Sequence, residues 1–198
     1  MIVKLSKLIT KVLLNQKSIS EKDIDIYQYG VEITISSLLN IALIVIVSLI
    51  TNSLFSGLIF LSTFILLRQF TGGYHAESYF KCNTVLVSTY ILVLILSRLI
   101  CIEFRAGCII LLLGVLVVIF FTPIYNAHKE LSPSECRRNR KVSIFLYALI
   151  AIVSMITFQF NQYYGRVFIF TLGSILMLII IEIFLQRRGF HESKKDCC

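Results

Sequence analysis

Six runs of mostly apolar residues, divided by short polar breaks, leave this chain few ways to fold. They cover Val31–Ile50, Leu54–Leu67, Asn83–Ile102, Cys108–Tyr125, Val142–Phe160 and Val167–Leu185. A bilayer's hydrocarbon core is about 30 Å thick, which a helix crosses in about 20 residues. Within it every backbone N–H and C=O must be bonded inside the segment, so each run is predicted to be a helix. Residues 33–67 as one helix would exceed about 50 Å at about 1.5 Å per residue, too long for one crossing. Thr51-Asn52-Ser53 therefore divides a hairpin. The other breaks are a tight turn at Glu103–Gly107, a long polar loop at Asn126–Lys141, a turn at Asn161–Arg166 and a polar tail after residue 185.

Composition supports this class. The 198 residues are 57% hydrophobic and 15% charged, with mean hydropathy +0.85. A soluble domain is about half apolar and about a quarter charged. Six spans leave no room for a large soluble domain, so any chemistry must come from loops and helix ends. The fold class expected is an all-α integral membrane protein of about six transmembrane helices preceded by a basic amphipathic interfacial helix. One membrane-embedded domain covers 1–198: an N-terminal segment 1–30, a bundle 31–185 and a tail 186–198.

The interfacial helix is read from Ile2, Leu5, Leu8, Ile9, Val12 and Leu13, which recur at helical spacing opposite Lys4, Lys7 and Lys11. No uninterrupted apolar core follows the lysines, so it is not a secretory signal. The alternative is a surface helix packed on its own bundle.

Charge sets the topology. Of nineteen Lys and Arg residues, sixteen fall before the first span, after the second, after the fourth or in the tail. Only Arg98, Arg105 and Arg166 fall on the other face. Basic residues stay on the cytoplasmic side, so both termini and the two larger loops are expected there. The net charge of +8 suits contact with anionic lipid. The basic residues form no dedicated basic domain, so nucleic-acid binding is not expected.

Six cysteines occur, at 82, 101, 108, 136, 197 and 198, without paired CxxC spacing. Cys101 and Cys108 lie at span ends and read as apolar filler. Attention falls on the polar stretch between the second and third spans. It contains Arg68, Gly72-Gly73-Tyr74-His75-Ala76, Lys81 and Cys82. Ionisable groups at a membrane boundary are costly and suggest function.

A cysteine nucleophile needs its thiolate, and a free thiol pKa of about 8.5 leaves only a minority ionised at neutral pH. His75 could take that proton, and Arg68 and Lys81 would favour the thiolate. In an unbroken helix His75 and Cys82 would share a face but stand about 10.5 Å apart along the axis. The chain must bend, and Gly72-Gly73 supplies a helix stop. Cys82 is then expected near the start of the third span, where a helix N-terminus also favours an anion. Glu77 and Asn83 are nearby candidates for a third, orienting group.

This stretch resembles the signature of the accessory gene regulator B family, membrane cysteine endopeptidases of Gram-positive quorum sensing. Thr122-Pro123-Ile124 with His128-Lys129-Glu130-Leu131 is similar to a second family motif but departs from it at Thr122, His128 and Glu130. The resemblance implies that His75 and Cys82 are catalytic, with Arg68, Gly72 and Gly73 in support. It implies a precursor peptide with an amphipathic leader, a central signal segment and an acidic tail. The tail is cut off, a thioester acyl-enzyme forms, and a thiolactone or lactone ring closes. It implies no cofactor and no metal. Arg137, Arg138, Arg140 and Lys141 are the basic residues expected to hold the acidic tail.

Two rival readings of these residues exist. His75, Cys82, His128 and Cys136 could form a zinc site, but no two of them have the close spacing usual for ligand pairs; otherwise His128 and Cys136 are exposed loop residues. A multi-span exporter of a small peptide, without proteolysis, would need charged or broken helices at mid-membrane. Here Glu32, Arg98 and Glu182 lie near span ends, and Gly114 and Gly173 read as packing positions. A homodimer is expected only from the general frequency of two-fold assembly.

Overall fold

A computed structural model describes residues 2–15, 23–71, 79–123 and 132–189. The described residues form seven helices: α1 (Ile2–Asn15), α2 (Ile24–Ile50), α3 (Leu54–Thr71), α4 (Tyr79–Leu99), α5 (Phe104–Phe121), α6 (Pro133–Phe160) and α7 (Gln162–Gly189). Six of them, α2 to α7, are long and apolar enough to cross a membrane, as the hydropathy pattern predicts. The chain is a multi-pass membrane protein.

Several helices start earlier than expected, whereas α4 and α5 stop at Leu99 and Phe121, short of the expected Ile102 and Tyr125. α2 begins at Ile24 rather than at residue 31, α5 begins at Phe104 and α7 begins at Gln162. The long loop expected over Asn126–Lys141 is helical from Pro133 onward. Ser132 starts that helix with a capping box. Its Oγ accepts from the Glu135 N–H at 3.3 Å, and the Glu135 carboxylate accepts from the Ser132 N–H at 2.9 Å. Pro133 sits at the first helical position, where its missing N–H costs nothing. The expected turn at Glu103–Gly107 shrinks for a related reason: Glu103 is the N-cap residue and Phe104 already helical.

α7 is the hub of the bundle, packing against α3, α4, α5 and α6. Its buried side chains Val167, Leu172, Ile175 and Ile179 meet Phe60 and Leu67 of α3, Tyr90 and Val93 of α4, and Tyr147 of α6 in one core. Between lipid-bathed helices such contacts gain from close van der Waals fit rather than from escape from water. Small residues permit that fit. Gly57 lies against Ser48 and the Tyr90 hydroxyl, and Gly114 against Tyr147 and Leu176. Gly173, also read as a packing position, has open space where a Cβ would stand.

α2 turns its apolar side outward and its polar side inward. Gln28, Glu32, Ser36, Asn40 and Ser48, with the buried Ile44 between the last two, follow a four-residue spacing, which keeps them in one row along the helix. Ser36 Oγ donates to Asn83 Oδ1 at 3.1 Å, and Ser48 shares a 2.7 Å hydrogen bond with Tyr90, so α4 is held at both ends of its contact with α2.

α1 lies on α2, and its contact face is polar. Ser6 and Thr10 are buried, and Ser6 Oγ donates to Glu32 Oε1 at 2.9 Å. Gln28 Nε2 donates to the same oxygen at 3.0 Å. Leu5, Leu8, Ile9 and Val12 are left exposed, with Lys7 and Lys11 exposed on a second side. Amphipathic character alone would allow the apolar side to pack on the bundle. The structure instead presents it outward, as an interfacial helix requires.

Candidate functional site

Inter-helix contacts sort the two ends of the bundle. One end brings together the C-terminal turns of α3, α5 and α7 with the N-terminal turns of α2, α4 and α6. The Ser36–Asn83 bond and the 2.8 Å bond from Arg140 Nη2 to the Ile119 carbonyl lie there. The opposite end carries the bonds from Arg98 to Thr51 and from Arg166 to Ile100.

The first end carries the polar stretch. Arg68 lies in the last turn of α3 and is half-buried. Its guanidinium carbon stands 5.3 Å from the centre of the Phe64 ring, one helical turn back, a cation–π contact that steadies the side chain. From there it acts electrostatically on Cys82 and on Glu182. Next to it, Thr71 is fully buried and donates to the Leu67 carbonyl at 3.1 Å, which ties the last turn of α3 down.

Cys82 is the fourth residue of α4, half-buried, with a free thiol. The expectation that it opens the third span holds. The N-terminal turn of a helix has N–H groups without intrahelical partners and a partial positive charge. Cys82 thus has a helix N-terminus on its own element and a guanidinium from the neighbouring one. Lys81 beside it is exposed. Asn83, one of the two candidate orienting groups, accepts from Ser36 of α2, and this bond fixes the α4 turn that carries the cysteine. His75, Gly72, Gly73 and Glu77 lie outside the described residues, as does His128.

The residues expected to hold an acidic tail sit on α6 rather than on a loop. Arg137, Arg138 and Lys141 are exposed in its first turns, whereas Arg140 spends a guanidinium N–H on the last turn of α5. Cys136, read as an exposed loop residue, is fully buried in that first turn. Cys101, read as apolar filler, is exposed, and its Sγ accepts from Arg166 Nη1 at 3.2 Å. Among the described residues no three His, Cys, Asp or Glu side chains cluster as a metal site would require.

Sequence reasoning gave Glu182 no role. It lies seven residues from the end of α7, far from the stretch around Cys82 in the chain, and only packing of α3 and α4 on α7 brings them together. Its one signal in the sequence was a carboxylate near the end of an otherwise uncharged span.

The comparisons with known proteins converge on one family. A family model described as Accessory gene regulator B matches residues 6–185. An AgrB-like protein of Clostridium perfringens strain SM101 is 28% identical over 169 residues, spanning 80% of this chain and 79% of its own. An AgrB-like protein 2 of Clostridium perfringens strain 13 is similar to the same extent. No solved structure matches.

Proposed function

The chain belongs to the accessory gene regulator B family, and so to the agr quorum-sensing system, and from that premise we propose that it is a membrane cysteine endopeptidase acting on an autoinducer precursor. Cys82 is the nucleophile and His75 its base. The observation that carries this reading is the place of Cys82 in the opening turn of α4, within electrostatic reach of Arg68 at the end of α3. A helix N-terminus and a nearby cation complement the negative charge that a cysteine nucleophile carries as it attacks.

The steps follow from that arrangement. His75 takes the thiol proton, and the Cys82 sulfur attacks the scissile carbonyl. The peptide bond breaks, the proton passes to the departing amine, and the acidic tail leaves. The leader and signal segment remain on Cys82 as a thioester. A thiol or hydroxyl within that segment then attacks the same carbonyl, giving its proton to His75. Cys82 leaves as thiolate and the ring is closed. Thioester and thiolactone are close in energy, so water must be kept from the acyl-enzyme, and a site at the membrane boundary helps exclude it.

The substrate reading rests on the surfaces around the site. Arg137, Arg138 and Lys141 offer positive charge for an acidic tail. The end of the bundle bearing Cys82 faces the cytoplasm, with both termini, in keeping with the excess of basic residues assigned to that side. An exporter without proteolysis has less support. The described span residues Glu32, Arg68 and Glu182 gather at that one end instead of lining a path through the middle.

The test is co-expression with a candidate precursor, scored for tail release. Wild-type protein releases the tail, whereas Cys82→Ala and His75→Ala do not, although both insert in the membrane to the wild-type level. Full tail release by Cys82→Ala would end the proposal.

A further inference from the structure

Glu182 stands on the inward side of the hub helix. On α7 the buried face runs through Leu172, Ile175 and Ile179, and Glu182 continues that face one turn further. The side chain is half-buried. A carboxylate placed inward in a membrane bundle loses solvation and is retained where it faces a cation. The cation is Arg68, from α3, which packs on α7; Cys82 comes from α4, which packs on α7 as well. Three helices therefore contribute a carboxylate, a guanidinium and a sulfur, with the guanidinium interacting with both of the others.

Two other described carboxylates near this end are bonded elsewhere. Glu32 accepts from Ser6 and Gln28 at the α1–α2 contact, and Glu135 closes the capping box of α6. The charged groups described on the elements packed against α4 at this end are Asp25 and Glu32 of α2, with Asp23 at its N-cap, Arg68 of α3 and Glu182 of α7, and Lys81 on α4 itself.

The geometry points to Glu182 as a positioning residue of the site, which holds the Arg68 guanidinium toward Cys82 through the whole reaction cycle. The inference rests on Cys82 being the nucleophile. Its reason is a charge that comes and goes. Cys82 is an anion as thiolate and neutral as thioester. At the thioester stage the half-buried Arg68 has lost one counter-charge, and a long side chain can carry its own charge outward to water. Glu182 takes no part in the covalent steps. It keeps the guanidinium in place, so the departing sulfur finds its counter-charge when the ring closes.

The experiment reads the reactivity of Cys82 directly and needs no substrate. Full-length protein in lipid vesicles is treated with iodoacetamide near neutral pH, and the rate at Cys82 is followed by peptide mass spectrometry. Glu182→Gln should slow the reaction roughly fivefold to tenfold. Glu182→Asp should recover much of that loss. In an Arg68→Gln background, Glu182→Gln should add nothing further. A packing role would be served equally by the isosteric glutamine, so a wild-type rate for Glu182→Gln overturns the inference. So does a slowing that persists undiminished without Arg68. Should Glu182→Gln not fold, the exchange of charges, Arg68→Glu with Glu182→Arg, keeps the ion pair but turns an anion toward the sulfur. It should react more slowly than Arg68→Gln alone, and a wild-type rate there also overturns the inference. Failure of these outcomes with Cys82→Ala still inactive removes only the role of Glu182. Tail release by Cys82→Ala removes the peptidase reading itself.

Discussion

The two ends of the bundle use the same side chain, arginine, for different purposes. At the end opposite the site, Arg98 donates to the Thr51 carbonyl at 3.0 Å and Arg166 to the Ile100 carbonyl at 3.1 Å. Both carbonyls lie at helix C-termini, where backbone oxygens lack partners and the helix dipole is negative. These arginines close helices. Asn161 completes the pattern there, its Oδ1 accepting from the backbone N–H groups of Tyr163 and Tyr164 as α7 begins. At the site end Arg140 does the same for α5, but Arg68 interacts electrostatically with Cys82 and Glu182. The difference teaches that basic residues in such a protein are informative by what they face. A guanidinium on a terminal carbonyl is architecture, and one that interacts with Cys82 belongs to the proposed site.

The contrast can be broken or sharpened by mutation. The largest effect is expected at the sulfur: Cys82→Ala should abolish tail release while leaving thermal stability in detergent unchanged, and activity with stability lost together would erase the distinction. Next comes the opposite end. A Cβ on Gly165 would stand 2.6 Å from Phe158 Cα, a backbone atom that cannot swing aside. Gly165→Ala should destabilise the fold by about 1–3 kcal/mol, read as a lower unfolding temperature, with tail release per folded molecule preserved. A smaller effect is expected on substrate binding. Arg138→Glu with Lys141→Glu should raise KM several-fold and leave kcat near wild type, and an unchanged KM would remove the tail-binding role of α6. The smallest effect is expected at Arg98. Removing its bond to Thr51 with Arg98→Ala should cost about 1 kcal/mol or less, with no change in tail release.

Much of the architecture was readable because lipid allows so few solutions. Runs such as Leu54–Leu67 and Cys108–Tyr125 mapped onto α3 and α5 because an apolar segment in a bilayer must bond its own backbone. The ends were less readable. Hydropathy marks where the apolar segment stops, whereas a helix continues into polar surroundings as long as its caps and backbone bonds allow. Ser132, Pro133 and Glu135 carried that information for α6 in a local pattern that hydropathy does not weigh.

The site divides in the same way. Arg68 and Cys82 were visible because a short polar stretch joins them. Glu182 was not, since its approach to Arg68 depends on how α3 seats on α7. The orientation of α1 also escaped the pattern. Leu5, Leu8 and Val12 define an apolar side, but in a membrane that side can satisfy itself against lipid as well as against protein. The Ser6–Glu32 bond shows which side meets the bundle.

The most direct measurement is a search for the acyl-enzyme. Protein in vesicles is mixed with precursor peptide, quenched in acid and digested, and the Cys82 peptide is weighed. A hydroxylamine-sensitive adduct of the leader and signal segment on Cys82, absent in His75→Ala, is the predicted result. Tail release in full with Cys82 never acylated would contradict it.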